Sequence, residues 1–325
     1  MAWMPVLPEA DPCTPAPGEC VLMPLTHLAV IEASGADATA FLHGQLSNDV
    51  QGLAPGASLL AGYCNAKGRL YALPRLWRAG EDRQLCLPAD TAEAVLKRLR
   101  MFVMRSRVTL TLRGDITLLG VAGDGAAACL RGAGLPVPGG ANAVTTQGEL
   151  TVLRWPGSTE RFQVCVGDEA APALWAALSA RACPGPASAW RLLDIDAGLP
   201  AIYAPTLEAF VPQMVNLELV DGVSFRKGCY PGQEIVARMH YLGKPSRRMY
   251  RLRAAGSEPP PGTPVLDETG REVGTVVDAQ PAPDGTHLLA VVQQGIGCAR
   301  LGLPGGQVLD DLGLPYALDQ AAPVA

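Results

Sequence analysis

A chain of 325 residues, 48% hydrophobic and 18% charged, exceeds the usual single-domain size and can fill two or three packed cores. Its formal net charge of −5 excludes a globally basic nucleic-acid surface, and its longest apolar runs, such as Leu118–Ala122 and Leu288–Val292, are strand-sized and far short of a membrane span. The opening MAWMPVLPEADPCTPAPGEC has no basic stretch leading into an apolar one, so it does not read as a secretory signal; its prolines and small residues predict a flexible arm over residues 1–20, and the expected location is cytoplasmic.

In chain order, His27–Ala33 reads as a strand, followed by a helix over Ala38–Leu46 with Asp37 as its predicted N-cap. Ser58–Cys64 and Arg69–Trp77 form a predicted hairpin across Asn65-Ala66-Lys67-Gly68, where glycine supplies the permissive backbone. A short strand at Arg83–Leu87 precedes a basic amphipathic helix over 91–104 and an alternating strand at Val108–Leu112. The mixture repeats with strands at 116–122, 150–155 and 161–166 and helices near 126–131 and 169–181. Strands and single helices mingle without βαβ alternation, which predicts an α+β fold.

Cys183-Pro-Gly-Pro breaks the chain, and Ser188 is the predicted cap of a helix carrying Trp190, Leu193 and Asp194, which Gly198 and Pro200 end. Beyond 247, turn signals punctuate short strands at 248–253, 263–266, 272–279 and 286–293, the spacing of a small β-barrel. Residues 1–20 are thus an expected arm, 21–246 an α+β body with subdomains of 21–113 plus 184–246 and of 114–183, and 247–325 a barrel.

The nine cysteines (13, 20, 64, 86, 129, 165, 183, 229 and 298) are scattered, with no CxxC pair and no zinc or iron–sulfur spacing, so no metal site is expected. Cys86, Cys129 and Cys165 sit in apolar runs and read as small buried hydrophobes. Cys229 differs. It stands between Gly228 and Gly232 in Val223–Arg238, beside Arg226 and Lys227. Glu234–Arg238 reads as the opening of a helix or a strand, a helix starting near Pro231 bringing its free amides to the thiol. Neighbouring cations and free helix-end amides stabilise a thiolate, lowering the expected Cys229 pKa; a buried structural cysteine in a glycine-rich turn is the competing reading.

The string Lys227-Gly-Cys-Tyr-Pro-Gly-Gln-Glu234 resembles the signature of YgfZ-type proteins, which share the fold of the glycine-cleavage T-protein. The resemblance extends through Asp194–Pro200, Phe210–Gln213, Asn216–Glu218, Phe41–Val50, Cys64–Arg69 and Glu272–Val276. It implies an α+β body around a central cleft that holds tetrahydrofolate, with a C-terminal barrel. It also implies a folate-binding accessory protein for iron–sulfur cluster assembly or repair that serves clients such as tRNA methylthiotransferases. Cys229 and Lys227 are the implied reactive pair. Trp190 matches a tryptophan that lines the family's folate pocket, where an indole face stacks on a flat ring. A second family aromatic aligns with Leu28. Tyr230, Gln233 and Glu234 of the motif are implied folate contacts, and Asn48, Asp49, Arg69 and Lys67 are candidate ligand contacts, Arg69 and Lys67 for a glutamate tail. Helix capping and a solvated turn are their alternative roles.

Two other readings stand beside this one. A T-protein-like aminomethyltransferase relies on an acidic pair in the hairpin region, and no Asp or Glu lies between Asn65 and Gly80. A folate-independent client-binding scaffold would leave Cys229 structural. The basic run Lys97-Arg-Leu-Arg100 with Arg105 and Arg107 reads as a solvated helix face, so direct RNA contact is not expected. His43 and His240 have no partner that spacing reveals.

Overall fold

The computed structural model describes residues 18–243, 245–296 and 301–318. The expected N-terminal arm lies, up to residue 17, outside the described residues, as do Cys13 and Cys298. The described residues form a five-stranded sheet, a six-stranded sheet, a two-stranded hairpin and a barrel. The first sheet runs Ser58–Leu60, Arg75–Ala79, Asp82–Pro88, Leu28–Ser34, Thr109–Arg113. Helices Ala38–Gln45 and Ala89–Arg100 cover one face through Phe41, Leu42, Val95 and Leu99.

The second sheet runs Val144–Gln147, Leu150–Arg154, Arg161–Gly167, Ile116–Ala122, Val21–Pro24, Cys183–Pro184, with the last pair parallel and the others antiparallel. Helices Ala126–Gly132 and Ala171–Ser179 pack on it around Phe162, Leu130 and Leu178. The strand Val21–Pro24, unforeseen from the sequence, thus joins the sheet of 116–122 and not the sheet of its neighbour Leu28–Ser34.

Residues Arg247–Ala254, Gly285–Gln293, Glu272–Ala282, Pro264–Leu266, Gly302–Leu303 and Gln307–Asp311 close a six-stranded barrel. The barrel confirms the expected C-terminal architecture and adds two unforeseen strands, Gln307–Asp311 and the two-residue Gly302–Leu303, the latter too short to read as a pattern. Its strand Glu272–Ala282 packs on helix Ala187–Asp196, where Asp278 pairs with the Arg191 guanidinium and accepts the Tyr203 hydroxyl at 3.0 Å.

Two predicted caps are corrected. Asp37 stands at the N-cap position, but its carboxylate accepts the Arg107 amide at 2.8 Å and pairs with the Arg107 guanidinium instead of capping the helix. Ser188 lies inside its helix, which starts at Ala187 after Pro186, since proline's fixed φ suits the entry. The basic helix stops at Arg100; residues 101–106 form turns, with Met104 at φ 40.

Trp190 is fully buried, its indole lying directly over Gly120 of the second sheet. A methyl at Gly120 would sit 2.6 Å from Trp190 Cε3 and 3.0 Å from Leu25 Cδ2. Overpacking of this kind costs about 1–3 kcal/mol. Gly120→Ala is therefore expected to lower the urea midpoint without changing the slope of the transition; an unchanged midpoint would contradict the packing described.

Candidate functional site

The motif loop Val223–Gly232 leads into helix Gln233–Leu242, which resolves the helix-or-strand alternative of the sequence. Gly232 has φ +80 and presses against the hairpin turn, where a methyl would lie 2.6 Å from both Gly68 Cα and Gly68 N. Gly68, at φ +71, meets Ile235 and the Gly232 carbonyl in return. Both positions need a left-handed backbone and a close approach, which only glycine combines without strain. Asn65 ties the turn from within, accepting the Lys67 amide at 2.8 Å and the Arg69 amide at 3.0 Å. Upstream, the Ser224 amide donates to Ser47 O, and Phe225 stacks on His240 with ring centroids 3.6 Å apart.

On this seat Cys229 is exposed, while Cys20, Cys64, Cys86, Cys129 and Cys165 are buried and Cys183 is half-buried. Lys227 reaches back under the loop. Its Nζ donates to the His43 carbonyl and, at 2.6 Å, to Leu46 O, capping the end of helix Ala38–Gln45, and lies 4.9 Å from the Tyr230 ring centroid. Burial pulls Lys227 down from the usual lysine range to about 8, against the opposing pull of Asp49 and Cys229. Arg226 is exposed beside it.

His43, whose sequence showed no partner, borders the same loop. A methyl at Gly228 would lie 3.9 Å from its Nε2, and its Nδ1 is 3.2 Å from Asp49 Oδ1. Burial and the Lys227 charge lower its pKa. Tyr230 is buried, and burial pushes its hydroxyl pKa up. Gln233 and the exposed Glu234 occupy the first turn of the helix.

A cavity of about 40 Å³ lies at the other end of the hairpin, between the sheets, where His27, Leu28, Arg75, Trp155, Asp194 and Tyr203 line it together with Leu60 and Leu73. From those leucines to the Asn65–Gly68 turn is about 16.5 Å of extended chain, five residues at ~3.3 Å each. Arg75 lies 4.3 Å over the Trp155 ring and donates to Asn142 at 2.6 Å. Burial pulls Arg75 down to about 10 and pushes Asp194 up, although Asp194 holds Arg161 at 2.8 Å. Both His27 nitrogens, Arg75 Nε and Trp190 Nε1 are buried without hydrogen-bond partners.

The sequence candidates are therefore divided. Leu28 lines the cavity; Trp190 is sealed behind Trp155, which it meets edge-on at 5.5 Å. Asn48 donates to Leu60 O at 2.8 Å and Asp221 O at 2.6 Å, bracing the strand beside the cavity against the chain that leads into the motif loop. Asp49 accepts the Gly52 amide and faces His43. Arg69 donates to the Ala209 and Glu208 carbonyls, at 2.7 Å and 3.2 Å. In the basic run, Arg98 stacks 3.9 Å over the Tyr71 ring and Arg100 binds Leu110 O. His27, Arg75, Trp155 and Tyr203 were missed because the cavity gathers them from segments with no common spacing.

The architecture is that of the glycine-cleavage T-protein class. The aminomethyltransferase T of the Bartonella henselae glycine cleavage system superposes with a TM-score of 0.75 over 93% of this chain and 87% of that one, at 20% identity. The sequence matches no protein-family model. The tRNA-modifying protein YgfZ of Cronobacter sakazakii is 33% identical, covering 99% of this chain and 100% of its own length. Those of Serratia proteamaculans and Yersinia pseudotuberculosis are 33% and 34% identical over 90% and 82% of each chain. The chain belongs to the YgfZ family of tRNA-modifying proteins.

Lys227 gives a test in pH. Between about 8 and its ordinary 10.5, Lys227 is neutral when folded and charged when unfolded, so the unfolded chain binds more protons and stability rises with pH. Below that window both states are charged and the burial penalty persists. Raising pH from 7.0 to 9.5 is expected to increase the urea midpoint more in the wild type than in Lys227→Met; equal changes would contradict the buried placement.

Proposed function

We propose that this chain is a folate-binding accessory protein supporting iron–sulfur cluster assembly or repair in client enzymes such as tRNA methylthiotransferases, with Cys229 as its reactive group. The observation that carries the reading is the Cys229 thiol, exposed on a loop pinned by Gly232 and Gly68 with the Lys227 ammonium inside it. Exposure gives a partner access, and a nearby cation favours nucleophilic sulfur. Lys227 is the counter-charge in this reading and Cys229 the nucleophile.

Folate would be held in the cavity between the sheets. The polar atoms there fit a pterin: the unpartnered His27 nitrogens, the unpartnered Arg75 Nε donor and the Asp194 carboxylate, with Trp155 alongside them in the lining. Ligand pockets usually offer about 300–1,000 Å³. The cavity of about 40 Å³ is much smaller, so part of its lining other than the barrel-held Tyr203 must give way on binding.

The aminomethyltransferase reading lacks its carboxylate on the hairpin. Glu208, the carboxylate beside that turn, accepts Asn65 Nδ2 at 2.5 Å and is drawn down by Asn65 and Tyr71.

In cells lacking this protein, wild-type chain is expected to restore tRNA methylthiolation, read by mass spectrometry of hydrolysed tRNA. Cys229→Ser should fail to restore it while retaining tetrahydrofolate quenching of tryptophan fluorescence. Full restoration by the variant would refute the role of the thiol.

A further inference from the structure

His27 presents an arrangement that the fold itself does not explain. It lines the cavity, yet neither Nδ1 nor Nε2 has a hydrogen-bond partner and both atoms are sealed from solvent. A buried polar group without a partner costs about 1–3 kcal/mol. A core position with no polar task would be filled better by a hydrocarbon, as adjacent Leu28 fills its own.

The cavity's other polar atoms face the same need. Arg75 uses Nη1 on Asn142 and Ser58 but leaves Nε unpartnered. Asp194 gives one oxygen to Arg161. Tyr203, by contrast, is satisfied by Arg191 and Asp278, each at 3.0 Å, so the barrel fixes that wall. Burial, with the Arg191 charge, lowers His27 to about 3. The ring is accordingly neutral at physiological pH and offers one donor and one acceptor.

We propose that His27 is a ligand-binding residue that hydrogen-bonds the polar edge of a flat, neutral heterocycle held in this cavity against Trp155. Arg75 Nε supplies a further donor and Asp194 an acceptor, a set complementary to the alternating ring nitrogens, amino group and carbonyl of a reduced pterin. The inference rests on the folate reading above and adds the residue that recognises the heterocycle rather than its tail.

Calorimetric titration of the full-length protein with 5-formyltetrahydrofolate tests it, using wild type, His27→Ala and His27→Gln. Loss of the imidazole is expected to weaken Kd about tenfold, the usual effect of one or two hydrogen bonds. Glutamine, which keeps a donor and an acceptor, should recover part of the affinity and serves as the test if the alanine variant fails to fold. p-Aminobenzoylglutamate, which lacks the pterin, should bind wild type and variants alike. A wild type that binds folate with the same Kd as both variants would overturn this inference alone, leaving His27 a partner for ordered water. Equal weakening of both compounds in the variants would overturn it as well, since the effect would not follow the heterocycle. A wild type that binds no folate would overturn the folate reading and this inference with it.

Discussion

Backbone meets backbone where Gly232 rests on the Asn65–Gly68 turn, and the geometry of the reactive loop depends on that contact. No side chain intervenes, so the separation is set by peptide dimensions. The hairpin Tyr63–Cys64 and Leu70–Ala72 is in turn buried in a core shared with the barrel, where Leu70 packs with Val215, Met249 and Leu289. The loop therefore inherits its position from a buried core while leaving Cys229 in solvent. Functional groups held by rigid supporting elements are more accurately placed than groups on free loops.

Charge is arranged on the same frame. Lys227 could have extended into water, but it turns inward to the carbonyls ending helix Ala38–Gln45, where a cation complements the helix dipole. This links the first helix to the motif loop and brings His43 and Asp49 alongside it. At the far end of the hairpin, Asp278 of the barrel and Arg191 of the body brace Tyr203 beside the cavity. A thiol site and a cavity with unsatisfied polar atoms thus share one structural strut, and both depend on the interface between body and barrel.

Much of this was legible in the sequence, and the residues explain why. The α+β class followed from strand and helix periods, and the loop around Cys229 followed from Gly228 and Gly232, whose conformational demands are local, whereas helix over strand at Glu234–Arg238 was decided only by the fold. The barrel was readable where turns punctuated long strands, but Gly302–Leu303 has no period to detect. Val21–Pro24 was hidden because a four-residue strand ending in proline resembles a linker. The caps failed where a tertiary partner outcompeted a local bond, as Arg107 does for Asp37. The cavity was the least legible part. Its wall combines residues 27, 75, 155, 194 and 203, and only folding establishes that Trp155 rather than Trp190 faces the space.

The Cys229 thiol is presented to solvent on a fixed support, while Cys64, Cys86, Cys129 and Cys165 are enclosed. Alkylation of the native protein by iodoacetamide, followed by residue-resolved mass spectrometry over time, tests it most directly. Cys229 should be modified at least about tenfold faster than Cys64, Cys86, Cys129 and Cys165, whose reaction requires local opening. Modification of Cys229 as slow as that of Cys64 or Cys86 would contradict the account.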